Sequence, residues 1–155
     1  MLIIMASTTP DLSAPKPAEL ASQVRMAVMR LSRRLRQHAP SDITQSQLSA
    51  LAVLVREKRL TLSQLAVAER VQPPTITRVV DSLVQKGLVT RLVDEEDRRV
   101  AWVSATTEGR ALVETTRRRR DAYLAKHLRT LSPEELELLQ RAAPLLERLT
   151  EDPAP

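Results

Sequence analysis

The segment from Thr61 to Ser104 constrains the fold more than any other part of the chain, because its start and stop signals leave little freedom. Thr61-Leu62-Ser63-Gln64 is a capping box, in which the threonine hydroxyl and the glutamine side chain satisfy each other's otherwise unpaired N–H groups. It opens a short helix through about Glu69, and Val71-Gln72 is the turn. Pro73-Pro74 begins the next helix, where a proline is tolerated because its missing N–H has no intrahelical partner. That helix runs to Lys86, and Gly87 supplies a left-handed cap. Leu88 to Val93 and Val100 to Ser104 carry β-branched residues and a tryptophan, and read as two strands of a hairpin. Its tip is charged: Asp94-Glu95-Glu96-Asp97-Arg98-Arg99. A helix pair followed by a basic-tipped hairpin is a winged helix-turn-helix. Such a unit lays its second helix in the DNA major groove and an arginine beside the neighbouring minor groove.

The flanks read as helices. Leu20, Val24, Val28, Leu31 and Leu35 recur at steps of three and four, one stripe of a helix, which His38-Ala39-Pro40 stops. Thr44-Gln45-Ser46-Gln47 is a second capping box, opening a helix with Leu48, Leu51, Ala52, Leu54 and Val55 inside and an end near Lys58. Thr106 or Thr107 caps a long helix through about His127. Ser132-Pro133-Glu134-Glu135 opens a last helix with Leu136, Leu139, Ala143, Leu146 and Leu149 on one side, and Pro144 is expected to kink it. The expected fold is mainly α with a small β-hairpin wing (α+β). The winged helix-turn-helix spans about 44–104, between flanking helices at about 19–38 and 106–150, in a single domain over 19–150. Residues 1–18 read as a flexible arm and 151–155 as a flexible tail. The outer helices carry apolar stripes that the central unit alone does not cover; they either pack within one subunit or, as reading a palindrome favours, dimerise two copies.

Composition removes competing classes. With no cysteine, the chain has no disulfide frame, thiolate nucleophile or thiol redox sensor. With two glycines, Gly87 and Gly109, neither a P-loop nor a dinucleotide fingerprint can be written. One tryptophan, one tyrosine and no phenylalanine argue against stacking platforms for single strands or RNA. Duplex readers rely instead on arginine and polar side chains, and the net charge of +5 suits a polyanionic partner. Met1-Leu2-Ile3-Ile4-Met5 is too short to span a bilayer or serve as a signal core, so the expected location is cytoplasmic, with no membrane partner. His38 and His127 show no metal spacing, and neither a metal site nor a cofactor is expected. The acids Asp94 to Asp97 are the sole candidate for enzyme chemistry. They sit at a hairpin tip without histidine support, so no catalytic residue is assigned. The run Arg117 to Arg120 points around a helix in all directions and is not one patch. Some members are expected to pair with acids on a partner helix and some to add a general positive field.

Two fragments then carry a family resemblance. One is Pro74-Thr75-Ile76-Thr77-Arg78-Val79-Val80-Asp81-Ser82-Leu83, followed by Lys86-Gly87-Leu88-Val89. The other is Asp97-Arg98-Arg99, then five residues, then Ala105-Thr106. Inside this helix order, over roughly Leu20 to Leu149, the chain resembles the MarR family of bacterial winged-helix regulators. The family's wing pattern is Asp, any residue, Arg, five residues, Leu-Thr; here Ala105 stands for the leucine. The family's first motif helix usually ends Leu-Gly, where this chain has Glu69 and Arg70. That departure implies either a repacked turn or a Glu69 that points outward.

The candidate DNA-binding residues are Ser63, Gln64, Gln72, Pro74, Thr75, Thr77, Arg78, Asp97, Arg98 and Arg99. Thr75, Thr77 and Arg78 lie in the first turns of the recognition helix. A threonine offers a hydroxyl to a base edge or a methyl to thymine, and an arginine takes guanine O6 and N7 or a phosphate. Thr75 also serves as an ordinary helix-start residue and Thr77 as a solvated one. Ile76, Val79, Val80 and Leu83 should face the core. Ser63 and Gln64 are placed for a phosphate and equally for capping. Gln72 and Pro74, in the turn and at the helix start, complete the set. The resemblance implies that Arg99 enters the minor groove, that Asp97 orients it by an ion pair, and that Arg98 touches a phosphate or shares the task. It also implies a small aromatic or phenolic effector between the dimerisation helices and the recognition unit. Tyr123, Trp102, His38 and nearby arginines are candidates to line its pocket, and an aliphatic core fits equally well.

The reading that follows is a sequence-specific, double-stranded-DNA-binding regulator, a homodimeric repressor at a palindromic operator, released by a small effector. The alternative is a winged-helix module for protein contacts or non-specific DNA architecture.

Overall fold

Caps written in the sequence set most of the element boundaries. In a computed structural model of the chain, which describes residues 16–39, 41–94, 97 and 100–151, the helices are α1 (Pro17–His38), α2 (Gln45–Glu57), α3 (Leu62–Ala68), α4 (Pro73–Gln85), α5 (Thr107–Leu128) and α6 (Pro133–Arg148). The strands are β1 (Arg59–Thr61), β2 (Val89–Val93) and β3 (Ala101–Ala105). The chain divides into two compact units, Met1–Arg34 and Leu35–Pro155. Within the second, Thr44, Thr61 and Ser132 each form the reciprocal box expected of them. Thr106, rather than Thr107, caps α5: its Oγ1 accepts the Gly109 N–H at 3.0 Å and donates to the Gly87 carbonyl at 2.8 Å. One threonine thus starts α5 and ties it to the exit of α4.

The expected hairpin is one part of a three-stranded antiparallel sheet of order β1-β3-β2. β1 pairs Leu60 with Val103 and Thr61 with Trp102, while β2 pairs Leu92 with Trp102 and Val89 with Ala105. Leu88, expected in the strand, instead closes α4: its N–H reaches the Leu83 carbonyl at 2.9 Å while the Gly87 N–H reaches Val84 at 2.9 Å. Gly87 at φ 69° makes this exit possible without a Cβ penalty.

The core is aliphatic: Leu51, Leu54, Leu65, Ile76, Val80, Leu83, Val89 and Val103 are its largest fully buried side chains. On α2 the buried set is Leu48, Ala50, Leu51, Val53 and Leu54, so the expected Ala52 and Val55 are only half-buried. The reason is that α2 packs against α3, α4, α5 and the sheet. A helix surrounded in this way buries more than one stripe. Leu112 and Val113 of α5 complete the cluster. α6 continues through Pro144 and has no buried residue.

Candidate nucleic-acid interface

α4 divides its side chains sharply. Ile76, Val80 and Leu83 are buried, with Val79 half-buried beside them. Gln72, Pro73, Pro74, Thr75 and Arg78 are exposed. Arg78 makes no hydrogen bond or ion pair among the described residues, so its five donors are uncommitted. Thr77 is half-buried, and its hydroxyl donates to the Pro73 carbonyl at 2.9 Å. That leaves its oxygen lone pairs and its methyl for a partner. Two prolines at the helix start remove two backbone N–H groups, and the Thr75 N–H returns to the Gln72 carbonyl at 2.9 Å. The front of α4 therefore presents side chains rather than backbone donors.

Ser63 and Gln64 stand exposed in the first turn of α3. Gln64 Oε1 accepts the Thr61 N–H at 2.9 Å, so the side-chain amide caps the helix while its NH₂ remains a donor. The turn between α3 and α4 resolves the departure at Glu69-Arg70. Arg70 takes the left-handed conformation, φ 52°. Its N–H bonds the Val67 carbonyl at 3.1 Å while Val71 N–H bonds Ala66 at 3.0 Å. This is the closure a glycine usually provides. Glu69 is half-buried and accepts the Ser49 hydroxyl at 3.0 Å, so the turn is repacked around a hydrogen bond to α2.

Of the wing residues, Arg98 and Arg99 lie outside the described residues, and so does the Asp97–Arg99 ion pair. Asp97 donates its N–H to Asp94 Oδ1 at 3.1 Å. Sequence reasoning missed the residues that organise this stem. Asp94 Oδ2 accepts the Trp102 Nε1–H at 2.8 Å, and the Arg59 guanidinium lies over the indole, 4.7 Å from its centroid. Arg91 of β2 donates to Asp81 of α4 at 2.9 Å, joining wing strand to recognition helix. Gln47 of α2 donates to Ser82 of α4 at 2.8 Å.

The arginine run on α5 fans out as expected. Arg117 pairs with Glu114 on its own helix, and Arg118 donates to Thr115 at 3.5 Å. Arg120 donates from Nη2 to Gln45 of α2 at 3.3 Å, while its buried Nε has no partner among the described residues. Arg120 and Arg36 help line a cavity of about 230 Å³ with Ala39, Ser41, Ile43 and Leu48. Of the candidate effector residues, His38 and Tyr123 stack with centroids 3.9 Å apart, and Tyr123 meets His127 at 4.4 Å. Trp102 belongs to the wing instead.

A family model described as the MarR family matches residues 43–101, the stretch from α2 into β3. An uncharacterized HTH-type transcriptional regulator of Mycobacterium bovis is 44% identical over 136 residues, covering 87% of this chain and 95% of the relative. The chain belongs to the MarR family. A solved MarR family protein from Bacillus stearothermophilus superposes with a TM-score of 0.75 at 29% identity, over 86% of this chain and 95% of that one. A MarR variant of Escherichia coli complexed with operator DNA gives a TM-score of 0.65 at 28% identity, over 86% and 94%. The Mycobacterium bovis relative is a transcriptional regulator by its name. Among the described residues, no helix is long and apolar enough to cross a membrane.

Proposed function

We propose that this chain is a cytoplasmic homodimeric repressor that binds a palindromic operator in double-stranded DNA and is released by a small anionic effector. The observation that carries the DNA-binding part is the split of α4. Its apolar residues anchor the helix in the core, and Thr75 and uncommitted Arg78 face out in its first turns. That is the surface a major-groove helix needs, in a family with a member solved on operator DNA. In this reading Thr75, Thr77 and Arg78 meet base edges, with Gln72 and Pro74 beside them. Ser63 and Gln64 hold a phosphate, Arg99 enters the minor groove oriented by Asp97, and Arg98 adds a phosphate contact.

Dimerisation is supported by exposed apolar side chains on the outer helices. These include Val28 and Leu31 of α1 and Leu139, Leu145 and Leu146 of α6. The effector reading is supported by the cavity beside Arg36 and Arg120, where a buried guanidinium N–H without a partner among the described residues suits a carboxylate or phenolate oxygen.

The test is binding to the DNA upstream of its own gene, at fixed salt with excess non-specific competitor, beside the Arg99→Ala variant. Competitor-resistant binding of a dimer to a palindrome is expected, about tenfold weaker or more in the variant at an unchanged Tm. Weak binding that disappears as salt rises would instead favour the non-specific architectural alternative.

A further inference from the structure

Resting on the DNA-binding reading, we infer that Trp102 is a positioning residue for the wing. Its indole N–H fixes the Asp94 carboxylate, and that carboxylate holds the backbone of Asp97, the residue that orients Arg99 in that reading. Trp102 sits on β3, the strand paired on both sides, opposite Thr61 of β1 and Leu92 of β2. Its backbone is therefore held from both sides, as are those of Val103 and Ser104. Beyond the last strand pair, Val93 with Ala101, the stem is closed by the Asp94 N–H on the Val100 carbonyl and the Val100 N–H on the Asp97 carbonyl, both at 2.9 Å. The Asp94 side chain adds two further bonds. Oδ1 takes the Asp97 N–H at 3.1 Å, and Oδ2 takes the Trp102 N–H at 2.8 Å.

A carboxylate held at both oxygens has few rotamers left, so the Asp97 backbone that it holds is tied to the geometry of the central strand. The indole N–H only donates, so the pair cannot exchange roles. A hydrogen bond to a charged acceptor is also stronger than a neutral one. Arg59, 4.7 Å from the ring centroid, restrains the indole from the β1 side. Arg59 of β1 thus restrains the Trp102 ring of β3, which in turn holds the carboxylate of the residue that follows β2. None of these three side chains needs to touch DNA.

Two variants test the bond. Trp102→Phe keeps a ring beneath Arg59 and removes the donor. Asp94→Asn keeps the shape and leaves one acceptor oxygen for two donors. In the free protein, either should speed hydrogen exchange at the Asp97 and Val100 amides by about tenfold. Each should weaken binding to the palindrome that the parent enriches from random duplexes by about tenfold. The double variant should lose less than the sum of the two single losses, because the Trp102–Asp94 bond is common to both. Preference for A·T over G·C flanks should fall in step, a readout that general loosening of the fold would not move. Unchanged exchange, additive losses, or parental affinity and flank preference in Trp102→Phe would each overturn the proposal. A parent that enriches no palindrome would overturn the DNA-binding reading and this proposal together. Parental binding unaffected by either variant would overturn this proposal alone.

Discussion

Lys58 ends α2 at φ 69° and ψ −55°, a conformation that side chains with a Cβ seldom adopt. It is exposed and makes no hydrogen bond or ion pair among the described residues, so nothing local compensates the strain. Lys58→Gly should raise unfolding free energy by about 1 kcal/mol, read as a higher urea midpoint at constant m; an unmoved midpoint would show that the strain is absorbed. Gly109 is the opposite case. A Cβ there would collide with the Leu88 carbonyl oxygen, where α5 passes over the exit of α4. Gly109→Ala should cost about 3 kcal/mol by denaturant titration, and a loss below about 0.5 kcal/mol would mean that the two backbones part easily. The sequence marked Gly87 by its place after a helix, but nothing local announced Gly109. Its requirement arises from a chain segment distant in sequence. The same holds for Asp94 and Trp102, whose contact depends on strand register. Thr75 and Arg78 were legible because the helical period separates them from Ile76, Val80 and Leu83.

At the scale of elements, the caps were the readable part. A capping box is local, four residues wide, and names its own helix start. β1 was not readable: its three residues carry no alternation long enough to register, and Thr61 already announced a helix. Thr61 has two roles, closing β1 against Trp102 and capping α3. Thr61→Val keeps the β-branched shape and deletes the cap. It should cost about 1 kcal/mol in stability, measured by thermal unfolding, and a neutral result would assign the residue to the strand alone. The burial of Ala50 and Val53 was hidden for a related reason. A single stripe is what periodicity detects, whereas α2 is enclosed by neighbours that the sequence does not place.

At the scale of the whole molecule, the order of helices and hairpin could be read, because each piece carried its own start and stop. What covers α1 and α6 was inferred from their stripes, and the structure leaves Leu20, Val28 and Leu31 of α1 and Leu136, Leu139 and Leu146 of α6 exposed. Leu139 is 45% exposed and Leu146 42%. A pair of leucines buried between copies would contribute roughly 3–6 kcal/mol. Leu139→Glu combined with Leu146→Glu should therefore give a monomer in sedimentation at micromolar concentration, with helical circular dichroism retained. A persistent dimer in that variant would move the interface elsewhere. Loss of helix would mean that the face is covered within the subunit.

The indole at the root of the wing has an optical consequence. It is the single tryptophan of the chain, and no phenylalanine is present. Selective excitation therefore interrogates one point, where the emitter's N–H rests on a carboxylate and its face on a guanidinium. Both partners alter an excited indole, so emission intensity and wavelength report the state of the hairpin stem without a label. Titrating unlabelled duplex into the protein would then follow the wing itself, separately from the helices that a far-ultraviolet signal averages.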